Sequence, residues 1–86
     1  MNSKIIGDRI KLLMTMSKMP VTKLAKELDM SYKTLMRKLN GESEFCNADI
    51  IKLQKIFDLS LELFSNIFFN SNFDLKERLD NKKKSS

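Results

Sequence analysis

Residues 19–41 read MPVTKLAKELDMSYKTLMRKLNG. Two short helices joined by a tight turn fit this stretch. Val21, Leu24, Ala25 and Leu28 fall at i, i+3, i+4 and i+7, an apolar stripe at helical period. Leu35 and Leu39 repeat at i, i+4 in the second helix. Ala25 is small enough for a second helix to cross closely over it. Met30 supplies an apolar plug in the turn, and the Ser31 hydroxyl can cap the helix that follows. Small residue, turn, plug and cap together describe a helix-turn-helix. The outward face of the second helix carries Tyr32, Lys33, Met36 and Arg37. An aromatic and two cations there suit the base edges of a DNA major groove better than the Glu/Lys pairs of a solvated helix would.

On the amino-terminal side, the spacing predicts a helix over 3–17 with Ile6, Ile10, Leu13 and Met14 as its buried stripe. Gly7 costs up to about 1 kcal/mol against Ala inside a helix, so its presence points to a neighbouring helix packed close. Pro20 suits a helix start, where its missing N–H is no loss. The next two helices are expected over 20–28 and 32–39, with Gly41 as a left-handed cap. A polar loop, Glu42-Ser43-Glu44, precedes Phe45, a core anchor. Cys46 or Asn47 caps a fourth helix with Asp49 in its first turn, and Ile50, Leu53, Ile56 and Phe57 repeat at helical spacing.

Ser60 caps a fifth helix, 61–69, which is apolar nearly all round. One face packs on the bundle, and the other needs a cover. Leu63, Phe64, Ile67 and Phe68 are therefore expected to form an interaction patch for a second subunit. The alternative cover is the chain's own Phe73 and Leu75, folded back. Residues 70–86 end in DNKKKSS and read as a flexible basic tail. The expected fold is all-α: a compact five-helix bundle over 1–69 with a helix-turn-helix, followed by the 70–86 tail.

Eighty-six residues make one domain, and a chain this short buries only about 60% of its unfolded surface. Apolar residues are 42% and charged residues 31%, enough apolar content to form a core. With two Gly and one Pro there is little material for the turns of a β-meander. A single Cys, Cys46, excludes an internal disulfide and fits a reducing compartment. The chain has no His, so the commonest general base and metal ligand is missing. Neither a catalytic residue nor a metal ligand set nor a phosphate-cradling Gly-rich loop can be assigned, so the reading is not an enzyme, with no cofactor and no small-molecule substrate. No apolar run approaches the roughly 20 residues of a membrane span, and Asp8 and Arg9 break the amino-terminal segment as a signal peptide. The expected location is the cytoplasm of the host cell, with no membrane partner.

Net charge is +5, unevenly spread: +6 over residues 1–40, −4 over 41–75 and +3 over 76–86. Such asymmetry orients a molecule in the field of a polyanion.

Leu24-Ala25, Met30-Ser31, Thr34-Leu35 and Arg37-Lys38-Leu39-Asn40-Gly41 give the segment its resemblance to the Cro/repressor-type helix-turn-helix (XRE-like) family. Glu44-Phe45, the helix from Asp49 to Leu59 and the Ile67-Phe68-Phe69 ending extend the likeness to small Cro-like regulators of temperate phages of Gram-positive bacteria. The resemblance covers roughly residues 4–70. It implies a lambda-repressor-like DNA-binding domain, a homodimer on double-stranded operator DNA, and a place in a phage-type genetic switch. It puts Tyr32, Lys33 and Arg37 against base edges. Helix starts and flanking polar groups would hold phosphate; the expected residues are Thr22, Lys23, Ser31, Thr34, Lys38, Asn40 and Ser43. Three positions depart from the family pattern. Val21 stands where Gln often braces the recognition helix, Asp29 stands where the turn usually has Gly, and Glu42 and Glu44 make the following loop acidic. They motivate a second reading, a protein-interaction modulator, antirepressor or co-repressor, that binds an opposing phage repressor and binds DNA weakly by itself.

Overall fold

The structure, a computed structural model, describes residues 2–78. Among the described residues there are six helices and no strand: α1 (Ser3–Ser17), α2 (Val21–Glu27), α3 (Tyr32–Leu39), α4 (Asn47–Ile56), α5 (Leu61–Phe69) and a last turn, α6, at residues 75–78. The all-α expectation therefore holds, and the count of five is corrected to six.

The helix starts follow from side-chain caps. The Asn2 side chain accepts from the Lys4 N–H, Ser31 from Thr34, and Ser60 from Leu63. Pro20 precedes α2 in extended conformation and has no side-chain cap to offer. The helix ends need left-handed backbone. Lys18, Asp29 and Asp58 adopt φ of 55°, 56° and 50°, and Gly41 lies at 81°. Asp bears this conformation better than most residues, which lets Asp29 turn the chain between α2 and α3 without a glycine.

The core is one cluster that includes Ile10, Leu13, Met14, Leu24, Leu28, Leu35, Leu39, Leu53, Ile67 and Phe68. α1 lies at its centre, packed on α3 and on α5, while α2 packs on α3. The α1–α3 approach depends on Gly7. A Cβ there would fall 2.7 Å from the Leu39 carbonyl carbon and closer still to its oxygen.

Arg9, on the same helix, is 7% exposed. Its guanidinium donates to the carbonyls of Asn66 (3.1 Å), Ile67 (2.8 Å) and Phe73 (2.6 Å), and it lies over the Phe73 ring at 5.6 Å. The Asn66 carbonyl also accepts the Asn70 N–H at 3.4 Å, the last helical bond of α5, and a cation at a helix C-terminus is favoured by the dipole. Arg9 thus closes α5 and ties down the segment after it. Burial lowers its pKa and Asp74 acts in the opposite direction; an Arg stays charged regardless.

The expectation of a flexible tail from residue 70 is corrected for its first part. Leu75 is 2% exposed, Phe73 packs on the core, and Arg78 lies 3.3 Å from Glu62 on the surface. Phe73 and Leu75 thus fold back onto the core, but Leu61 and Phe69 of α5 stay exposed. The rest of the expected tail, 79–86, lies outside the described residues.

Candidate nucleic-acid interface

Two buried leucines orient α3. Leu35 and Leu39 are 0% and 1% exposed. At about 100° per residue, positions 32, 36, 33 and 37 then occupy an arc of about 140°, with 37 opposite the core. Tyr32, Lys33 and Arg37 are exposed, and Met36, which falls within the arc between Tyr32 and Lys33, is half-buried. The three expected base-contacting side chains thus share one open face. Lys33 and Arg37 form no ion pair among the described residues, so both have their donors available.

The expected phosphate ligands divide into three groups. Thr22 and Lys23 are exposed in the first turn of α2, and Lys23 has no ion-pair partner among the described residues. Ser31, Thr34 and Asn40 are exposed but already engaged. The Ser31 hydroxyl donates to Thr34 Oγ1 at 2.9 Å while accepting the Thr34 N–H at 3.1 Å. The Asn40 side-chain oxygen accepts from Lys11 Nζ at 2.8 Å, which leaves its amide N–H groups to donate outward. Ser43 is exposed between Glu42 and Glu44.

Lys38 differs from the expectation. It is not an outward cation. Its ammonium lies 2.5 Å from Asp49 Oδ2, with the two side chains 15% and 8% exposed, and 5.9 Å from the centre of the Phe45 ring. The same carboxylate oxygen accepts the Cys46 N–H at 3.2 Å, closing the first turn of α4. Burial by itself would raise the Asp49 pKa. The hydrogen bonds from Lys38 and Cys46 and the Lys38 charge outweigh it and hold the carboxyl below its usual value. Nothing local in the sequence marks this pair, because its members lie on different helices across the 40–46 loop. The one sequence signal is the acid at the third position of α4, which foretells the cap and not the lysine.

Beside α3 an open groove of about 480 Å³ is lined by Met14, Met19, Val21, Met36 and Leu39, with Lys11 and Lys18 also contributing. Val21, at the start of α2, forms part of its apolar wall.

The interaction patch needs a second correction. Ile67 and Phe68 are 0% and 2% exposed and belong to the core, and Leu63 and Phe64 are half-buried. The apolar side chains that α5 does present are Leu61 and Phe69, at 76% and 70%. Phe64 stacks edge-on against Phe69 (centroids 6.2 Å) and packs at 5.1 Å on Phe68, bridging surface and core. Among the described residues, no helix is long and apolar enough to cross a membrane. No protein-family model matches the chain, and no curated protein or solved structure shows significant similarity to it.

Proposed function

We propose that the α2–α3 pair is a helix-turn-helix of the Cro/repressor type, on a lambda-repressor-like bundle, and that the protein is a sequence-specific DNA-binding regulator of a phage-type switch. The observation that carries this reading is the open face of α3. Lys33 and Arg37 project from the side of α3 turned away from Leu35 and Leu39, and Tyr32 is exposed in its first turn, at the rim of the same face. Its N-terminal turn would enter the major groove. Arg37 and Lys33 would donate to guanine O6 and N7, and Tyr32 would pack on a thymine methyl or donate through its hydroxyl. Thr22 and Lys23 would take phosphates at the start of α2. A homodimer would place two copies of α3 about one helical turn of DNA apart, with Leu61 and Phe69, rather than the buried pair beside them, as the apolar residues open to a second subunit.

The test is fluorescence anisotropy on the intergenic DNA next to the chain's own gene and on scrambled DNA, over a salt series. The expected result is selective binding that weakens steeply with salt. Arg37→Ala should lose about 1–3 kcal/mol on the selected sequence and little on scrambled DNA. Equal affinity of Arg37→Ala and wild type for every sequence tried would overturn the base-contact assignment.

A second reading draws on a specific observation. The loop after α3 carries Glu42 and Glu44 exposed, while the neighbouring cation, Lys38, is neutralised internally. Such a flank repels a phosphate path. In this reading the protein modulates an opposing repressor by direct contact. Weak, unselective DNA binding together with a stable complex in a titration against the divergently encoded repressor would favour it.

A further inference from the structure

The Lys38–Asp49 pair is unlike the other ion pairs among the described residues. Lys4–Asp8 and Lys11–Asp8 span 3.4 and 3.9 Å between side chains 41–64% exposed, and Arg78–Glu62 is similarly open. Water and salt screen such pairs, and their cations can be recruited by any passing anion. Lys38 has lost most of its water and has a carboxylate already fixed against it by the Cys46 N–H. Ionic hydrogen bonds of this kind are the strong ones. The ammonium is also enclosed on the Phe45 side.

The position of the pair matters as much as its strength. Lys38 follows Arg37 directly, in the last turn of α3, where the loop 40–46 leaves the helix. A lysine there would ordinarily reach a phosphate beside the groove. We propose that Asp49 stands in for that phosphate: it is a positioning residue that holds Lys38 inside the protein and so removes one phosphate contact from the DNA-binding surface. The inference rests on the DNA-binding reading above. Its consequence is quantitative. The sequence-independent part of DNA affinity grows with the number of phosphates neutralised, each adding about 0.9 to the slope of log K against log salt. With Lys38 withheld, and Glu42 and Glu44 beside it, affinity falls on all sequences alike, while Lys33 and Arg37 keep their contacts to bases.

The experiment measures the salt slope of binding, on both the intergenic and the scrambled DNA, for the wild type, Asp49→Asn and the double variant Lys38→Met/Asp49→Asn. Asp49→Asn keeps the shape and an acceptor for the Cys46 N–H, but frees the ammonium. It should bind both DNAs more tightly by the same factor, with a slope steeper by about 0.9. Adding Lys38→Met should return the slope to the wild-type value. A purely structural pair would alter the melting temperature and leave the slope alone. An unchanged slope in folded Asp49→Asn, judged by its thermal melt, overturns the proposal. Should that variant not fold, Lys38→Met/Asp49→Leu removes both charges and keeps an apolar contact. It is expected to match the wild-type slope, and a slope shallower by about 0.9 would show Lys38 already on phosphate and refute the idea. The two readings separate cleanly. Wild type without sequence preference, combined with a steeper Asp49→Asn slope, sinks operator recognition and keeps the role of Asp49. Selective wild type with no slope change does the reverse, and failure of wild type and Asp49→Asn to bind any DNA overturns both.

Discussion

α3 and α5 are nearly the same length and meet opposite faces of α1, yet their orientations are determined in different ways. α3 carries two leucines four residues apart, with Met36 beside them and mostly polar side chains elsewhere, so one stripe is marked for burial by the sequence itself. α5 reads Leu-Glu-Leu-Phe-Ser-Asn-Ile-Phe-Phe, and several rotations about its axis would bury comparable apolar area. What selects one of them lies far away in sequence: Arg9 of α1, which grips the carbonyls of Asn66 and Ile67. An amphipathic helix carries its own orientation, whereas a uniformly apolar one receives it from its neighbours. The functional surfaces follow. α3 exposes a defined set of donors, while α5 exposes whatever remains, namely Leu61 and Phe69.

The most severe way to test this contrast is to truncate two adjacent rings of α5. Phe68→Ala should cost about 3–5 kcal/mol, as deletion of a buried aromatic does. A domain with only about 5–15 kcal/mol to lose would come close to unfolding. Phe69→Ala should stay within about 0.5 kcal/mol in the monomer, as exposed substitutions do. Urea denaturation of both variants measures the difference. Similar losses for the two would mean that α5 is rotated from the orientation described.

The same contrast accounts for what could be read from the sequence. The starts of α3 and α5 and the left-handed Gly41 were legible, because each follows from residues within one turn of the feature; Gly7 announced a close neighbour without naming it, and the left-handed Asp29 came from the family resemblance. Tyr32, Lys33 and Arg37 share a face for the same reason. The Lys38–Asp49 pair and the Arg9 clasp were not legible. Each joins side chains from different helices, and a charged residue in a helical pattern reads by default as solvent-facing. The burial of Ile67 and Phe68 was missed because a helix apolar on all sides has no period to show which side is inward. Residues 73–78 read as tail because their two apolar anchors, Phe73 and Leu75, sit among charges, and what fixes them, the core under Leu75 and the Arg9 clasp on Phe73, is distant in sequence.

A smaller effect sharpens the α3 side of the contrast. Gly7→Ala should gain up to about 1 kcal/mol from helix propensity. The added methyl, however, meets the backbone of Leu39, which cannot move without displacing α3. Overpacking of this kind costs about 1–3 kcal/mol and occasionally more. The expected net result is a destabilisation of about 2 kcal/mol, or a fall in Tm of roughly 8–16 °C for a domain of this size. A rise in Tm on Gly7→Ala would show that α1 and α3 stand further apart than described, and the orientation of the candidate DNA-binding face would need revision with them.

The smallest effect expected is on pH dependence, and it isolates the joint between α3 and α4. The folded state holds Asp49 below its ordinary carboxylate pKa, burial being outweighed by Lys38 and Cys46. A group depressed in this way binds its proton more readily in the unfolded chain. Its contribution to stability is therefore full above the unfolded value, about 3.9, and is lost as pH falls through the lower folded value. Because burial and hydrogen bonding act against each other here, the net contribution is modest. Urea melts of wild type and Asp49→Asn between pH 7 and pH 3 measure it as a difference: the wild type should lose more stability on acidification, and the gap between the two should narrow below about pH 4. The other carboxylates titrate in both proteins and cancel in the comparison. A gap that stayed constant down to pH 3 would mean that Asp49 is not depressed, that its pairing with Lys38 is loose in solution, and that the lysine is already available to an external anion.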